Sequence, residues 1–371
     1  MSLSGKIALV TGASRGIGRG IALQLGEAGA TVYITGREPK LSLQSDQPEL
    51  PTLQKTADEI TERGGKGIAV FVDHSDMSQV EKLFERLKTE TNGQLDILVN
   101  NAYSAVQALF DAMGKTFWEV DAEFWDEVNN VGLRNHYYCC VFAARLMVPR
   151  KSGLIVNISS VGGLQYLFNV AYGVGKCAMD RMAIDMAEEL RIHNVAIVSL
   201  WPGATRTELF AKMVDSGKFE HSSDSKVRNM KKFLEEGETT EFAGKAVVML
   251  AKDHDIMKKS GRILVAADLG IDYKFSDIDG KKRDSRNPTD QFEFRGRETT
   301  WIKFGSAFKA GINEANPNLI CLLVAQIGRQ PASIRSVRAL LNVGGYSAIA
   351  AYLPSWLRIP GWLMTAVTSR L

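Results

Sequence analysis

A tyrosine and a lysine stand four residues apart in "AYGVGKCAMD" (171–180), as Tyr172 and Lys176. On a helix, positions i and i+4 share a face. An ammonium beside a phenol stabilises the phenolate and draws its pKa down from about 10. Tyr172 would then be a usable general acid or base. Tyr-x-x-x-Lys is a common spacing, so the pair gains meaning only from the rest of the chain.

A second constellation suits a dinucleotide. "VTGASRGIG" (10–18) follows an apolar run and opens a helix-period segment. Gly12, Gly16 and Gly18 permit a tight turn that brings backbone N–H groups against a pyrophosphate, with Arg15 and Ile17 in the same turn. The second apolar run ends "ITGR". The residue after a second strand meets the adenosine ribose, and an acidic side chain there would repel a 2′-phosphate. This chain has Arg37, with Arg15 nearby in the turn. Two guanidiniums favour a phosphate, so the expected cofactor is NADP(H).

These residues need a scaffold. Apolar runs at 7–11, 31–35, 68–72, 96–100, 154–159, 195–201 and 262–268 alternate with helix-period stretches. Ile17, Ile21 and Leu25 recur one turn apart, as do Met179, Met182, Met186 and Leu190. Continuous β-branched runs suit strands buried on both faces. The expected fold is α/β, a doubly wound parallel sheet of the Rossmann type with a C-terminal membrane-associating extension. Residues 38–53, with Pro39, Pro48 and Pro51, read as a long loop, and 279–300 as a charged, turn-rich linker. The division is 1–275 for the cofactor-binding domain, 276–333 for a polar linker and extension, and 334–371 for an apolar tail.

The 371 residues are 45% hydrophobic, enough for one large domain and an appendage. Forty-five basic residues against 42 acidic give a net charge of +3, and scattered, so nothing favours nucleic acid as a partner. Cys139, Cys140, Cys177 and Cys321 show no ligand spacing and read as reduced thiols in the cytosol, with no metal site. "MSLSGK" runs straight into a strand, so no secretory signal is expected.

The chain resembles the short-chain dehydrogenase/reductase family. The carriers are the T-G-x-x-x-G-x-G turn (Thr11 to Gly18), "NNA" (100–102), "ISS" (158–160), Tyr172 with Lys176, and "PG" (202–203) with Thr207, in the family's order over about residues 5–270. The resemblance implies that Tyr172 donates the proton in carbonyl reduction and that Lys176 holds the nicotinamide ribose and lowers the Tyr172 pKa. It implies that Ser160 hydrogen-bonds the substrate oxygen, although the usual separation from the tyrosine would select Ser159. Asp73 would meet the adenine, Asn101 the ribose region and Thr207 the carboxamide side. A homo-oligomer is expected by resemblance alone.

Two further departures stand out. "NNAG" has become "NNAY", placing Tyr103 where glycine is usual. The family's fourth catalytic residue, an asparagine, falls on Gly132, with Asn129, Asn135 and His136 on a similar helical face as possible substitutes. A bend with backbone carbonyls holding the water is the other option.

Residues 206–240 lie where the family carries a substrate lid. Leu209, Phe210 and Met213, with Tyr166, Leu167 and Phe168, either face a lipophilic carbonyl substrate or pack in the core. In the tail, 339–357 runs 19 residues without a charge, close to the ~20 of a membrane span. Asn342, Gly344, Gly345 and Pro354 weaken a simple span, while Tyr346, Tyr352, Trp356 and Trp362 suit the membrane interface. Four arginines and no acidic residue after Ile334 suit an anionic leaflet. The expectation is an interfacial or re-entrant hairpin on the cytosolic face of the endoplasmic reticulum, the organelle being favoured by the resemblance. The terminal "SRL" (369–371) gives peroxisomes as the alternative. The expected activity is NADPH-dependent reduction of lipophilic carbonyls. The alternatives are a cofactor-binding scaffold with little turnover and a membrane-anchored interaction protein.

Overall fold

A computed structural model describes residues 2–38, 50–215 and 236–283. The chain divides into two units, Met1–Phe292 and Glu293–Leu371. The tail 334–371, most of the expected linker, part of the 38–53 loop and lid residues 216–235, with the side chain of Met213, lie outside the described residues.

Seven parallel strands form one sheet in the order β3-β2-β1-β4-β5-β6-β7. They are β1 (Ile7–Val10), β2 (Thr31–Gly36), β3 (Lys66–Phe71), β4 (Ile97–Asn100), β5 (Gly153–Ile158), β6 (Val195–Trp201) and β7 (Ile263–Val265). The order reverses between β1 and β4, and the crevice outside the strand ends at such a switch is where α/β sheets bind ligands. Every residue of β6 is buried, as a central parallel strand requires.

Helices α1 (Gly16–Glu27) and α2 (Leu53–Glu62) cover one face of the sheet with the helix Thr240–Lys252. Helices α3 (Met77–Glu90), α6 (Asn135–Arg150) and α7 (Val170–Leu190) cover the other. Between α3 and α6 lie the short α4 (Val106–Asp111) and α5 (Phe124–Asn129), and α8 (Glu208–Asp215) follows β6. Ile21 and Leu25 of α1 and Met179 of α7 are buried, while Met182 and Met186 pack at the edge of the second core.

The seventh run is shorter than its composition predicts. Only Ile263–Val265 pairs with β6, and Ala266–Asp272 turns helical. Ala266 and Ala267 are small and good helix formers, and both are buried against the first core. Residues after 275 pack back onto the fold: Arg283 is buried and bonds Asp277 at 2.6 Å. Among the described residues, no helix is long and apolar enough to cross a membrane.

Candidate active site

The turn after β1 leaves no room for a side chain at Gly12 or Gly18. Gly12 has φ +67°, and a Cβ there would lie 2.7 Å from Cα of Ala102. A Cβ on Gly18 would lie 2.3 Å from Nδ2 of Asn101. Asn101 donates that amide to the carbonyls of Thr11 (2.9 Å) and Gly12 (3.0 Å), so it braces the turn. Ile17 packs against the first core. Gly16 N–H donates to the carboxylate of Glu208 at 2.7 Å. Thr207 lies beside it, its Cγ2 3.6 Å from where a Gly16 Cβ would be.

Arg15 and Arg37 share this end of the sheet. Burial, and next the Arg37 charge, hold the Arg15 guanidinium below its ordinary pKa, while Glu208 acts the other way. Two mutually opposed cations are stabilised together by an anion between them. Asp73 accepts from Ser75 N–H (2.9 Å) and Oγ (2.7 Å), which keeps its carboxyl below the usual range. A glycine-rich turn at a helix N-terminus, with Arg15 and Arg37 at the same end of the sheet, fits a phosphorylated dinucleotide.

A buried chain links the cradle to α6. Gly12 N–H donates to Thr35 Oγ1 (3.2 Å), Thr35 Oγ1 meets His74 Nε2 (2.6 Å), and His74 Nδ1 meets Asn135 Oδ1 (2.9 Å). Because an amide oxygen only accepts, Nδ1 carries the proton and Thr35 donates to Nε2. Burial holds His74 below its ordinary pKa.

Tyr172, Ser160 and Lys176 come together at the switch-point side of β5. Asn169 caps α7, accepting the Tyr172 N–H at 2.9 Å. The Ser160 hydroxyl accepts Gly162 N–H at 3.1 Å and is close enough to the Tyr172 phenol to act on its proton. Ser159 points the other way, donating to the Lys176 carbonyl at 3.2 Å. Of the two serines, Ser160 is the one that acts on the tyrosine's proton, while Ser159 is turned to the Lys176 carbonyl. Lys176 Nζ donates to the Ile158 carbonyl at 3.0 Å. Burial pushes the ammonium down to about 8, with the Asp180 charge opposing.

The expected fall of the Tyr172 pKa is not what this geometry gives. Burial pushes the phenol up to about 12, with Ser160 acting the other way. Lys176 Nζ lies 5.8 Å from the ring centroid and spends its bond on Ile158, so desolvation outweighs its charge.

Gly132 lies in a π-helical turn, Asn130–Arg134, which bends the segment between α5 and α6. Asn129, Asn135 and His136 are each engaged elsewhere. Asn129 Nδ2 donates to Ala171 O (3.3 Å), and Asn135 bonds His74. His136 Nε2 meets Ala102 O (3.0 Å), and burial, with the Lys176 charge, pushes the ring down to about 3.

Aromatic rings wall the tyrosine. Phe168, at φ +61°, turns the loop so that its ring stands edge-on to Tyr172 at 5.1 Å and to Phe110 at 6.1 Å. Leu167 and Phe210 are buried, whereas Tyr166 is exposed. Leu209 is partly buried.

A model of the family described as short chain dehydrogenase matches residues 6–217. The chain belongs to the short-chain dehydrogenase/reductase family. It is 43% identical over 368 residues to dehydrogenase/reductase SDR family member 1 of Homo sapiens, covering 99% of this chain and 98% of that protein. Identity to the Mus musculus protein of the same name is 50% over 279 residues, covering 75% and 85%. Among solved structures, a short-chain type dehydrogenase/reductase from Mycobacterium marinum matches with TM-score 0.57 and 28% identity, covering 71% of this chain and 94% of that one. A metagenomic short-chain oxidoreductase in complex with NADP matches with TM-score 0.51 and 27% identity, covering 69% and 94%. As a short-chain dehydrogenase/reductase, this is an oxidoreductase by family.

Two residues of the short-chain dehydrogenase/reductase site escaped the sequence reading. Asp180, one turn beyond Lys176, is buried and accepts from Ser199 Oγ (2.6 Å) and Trp201 Nε1 (3.1 Å). Its i+4 spacing from Lys176 was a usable signal, since an acid in an apolar helix stripe needs a reason. Glu208 reaches Gly16 from 192 positions away, for which the sequence holds no signal.

Proposed function

We propose that this chain is an NADPH-dependent oxidoreductase that reduces lipophilic carbonyl compounds, of steroid-, retinoid- or xenobiotic-like character. The observation that carries the reading is the cluster in which Ser160 acts on the Tyr172 phenol and Lys176 Nζ lies 5.8 Å from its ring. The cradle of Gly12, Arg15, Gly16, Ile17 and Gly18, with Arg37, Asp73, Asn101 and Thr207, would hold the cofactor. When bound, NADPH supplies the hydride.

The chain's own work is to orient and to move a proton. Ser160 Oγ and Tyr172 Oη converge on the substrate oxygen, and both donate to it as negative charge develops. Tyr172 Oη gives up its proton to that oxygen and becomes the phenolate. Its high pKa in this structure keeps it protonated and ready as an acid for reduction. Lys176, with Nζ 5.8 Å from the ring centroid, puts its positive charge in the neighbourhood of the phenolate. The rings of Phe168, Phe110 and Tyr103 keep the surroundings apolar, which suits a lipophilic substrate.

A second reading, an NADP(H)-binding scaffold with little turnover, has one feature in its favour: Gly132 stands where the family carries its fourth catalytic residue, an asparagine. NADPH consumption with a panel of aliphatic, aromatic and polycyclic ketones separates the two. Tyr172→Phe should cut kcat at least about a thousandfold while NADPH still binds. Turnover within a fewfold of wild type removes Tyr172 from the mechanism. We further place the protein, as a homo-oligomer, on the cytosolic face of the endoplasmic reticulum through 334–371, on the strength of the uncharged run 339–357. Cell fractionation with and without 334–371 tests it, and a full-length protein released by low-salt lysis contradicts it.

A further inference from the structure

Two departures from the family pattern meet in space. A Cβ on Gly132 would lie 2.7 Å from Cδ2 and Cε2 of the Tyr103 ring. The space beside residue 132 is therefore filled from the loop after β4. The face of the same ring looks onto the Lys176 ammonium, whose Nζ lies 5.2 Å from the centroid. Its edge meets Tyr172, with centroids 6.3 Å apart and planes at 82°.

Other groups reach the ammonium too: the Tyr172 ring lies 5.8 Å from Nζ, and the Asp180 charge favours its proton. Its one carbonyl partner is Ile158, and the sulfur of Met179 is 3.9 Å away. An ammonium carries three donors, and an aromatic face attracts those that a carbonyl does not take. The Tyr103 hydroxyl plays no part, being buried without a partner. A buried hydroxyl left unpaired is a cost, so the ring is what this position uses.

We propose that Tyr103 is the positioning residue for Lys176, acting through its ring face in the space that Gly132 leaves open. Position 132 stays glycine because a side chain there would push the ring off the ammonium. The inference rests on Lys176 being part of the reaction centre. Asp180 on the same helix, His136 on α6 and Tyr172 also face this ammonium, and all three are unchanged in the variants compared.

The test compares wild type, Tyr103→Phe, Tyr103→Leu, Gly132→Asn and Tyr103→Gly/Gly132→Asn. The first readout needs no turnover: the pH dependence of Lys176 acylation, mapped by mass spectrometry. Tyr103→Phe should keep the wild-type titration and an equal or higher Tm. Tyr103→Leu keeps water out but offers no ring face, so Lys176 should lose its proton roughly half to one pH unit lower. With NADPH and a ketone, its kcat should fall about tenfold or more with little change in KM. Gly132→Asn should lower Tm by roughly 2 to 10 °C, and much less in the Tyr103→Gly background. An unchanged lysine titration in Tyr103→Leu overturns the proposal, as does a shift in Tyr103→Phe equal to that in Leu. Should the titration shift as expected while wild type itself never oxidises NADPH, the ring–lysine contact stands and the catalytic reading of the site falls.

Discussion

The carboxylate of Glu208, at the start of α8, accepts the N–H of Gly16 at 2.7 Å, in the first turn of α1. An acid there takes the position in which a helix N-terminus favours a phosphate. It also sits close enough to Arg15 to act on its charge. The segment after β6 is thereby tied to the Gly-rich turn.

Glu208→Gln should therefore tighten NADPH binding. It removes an anion that competes for the Gly16 amide and for Arg15, and the gain should be roughly two- to fivefold in Kd. Fluorescence titration of NADPH reads it. Weaker binding in the variant would mean that Glu208 supports the site instead.

Arg37→Asp should shift binding and turnover from NADPH towards NADH. It replaces a cation that pairs with a phosphate by an anion that repels one, worth about tenfold or more in the kcat/KM ratio of NADPH to NADH. An unchanged ratio removes Arg37 from phosphate recognition.

Glu238 should make stability fall as pH rises. It is buried beside Gly203, Thr205, Asp277 and Arg283, and burial pushes its carboxyl up to about 8 from an ordinary value of 4.5. The folded state thus holds a proton that the unfolded state has released over this window. The contribution is complete below about 4.5 and lost as pH rises through about 8, with a slope of about 1.4 kcal/mol per pH unit. Denaturant melts of wild type and Glu238→Gln between pH 5 and 8 check it. The variant should show the flatter dependence, and equal slopes would contradict the assignment.

The strands and the Gly-rich turn were legible because they rest on local pattern: β-branched runs, glycines at fixed spacing, a serine–tyrosine–lysine order. Arg15 and Arg37 could be paired in advance because, in a parallel sheet of this order, the ends of β1 and β2 lie side by side. What was not legible depends on contacts between distant residues. Tyr103 and Gly132 each looked like an isolated departure until the π-turn at Asn130–Arg134 put them against each other. The Tyr172 pKa was misjudged because spacing gives a neighbour's identity but not where its Nζ points, nor how much water burial removes. The run 262–268 looked uniform, yet only three of its residues find a strand to pair with.

The central claim is hydride transfer to a carbonyl carbon with proton delivery from Tyr172. Single-turnover reaction of the full-length protein with NADPH deuterated on the nicotinamide C4, and a lipophilic ketone, tests it most directly by mass spectrometry of the product. The account predicts an alcohol carrying one deuterium on the former carbonyl carbon with wild type, and none with Tyr172→Phe. Deuterium transfer at equal rates in both proteins, or tight NADPH binding with no labelled alcohol from any ketone in the panel, would contradict it.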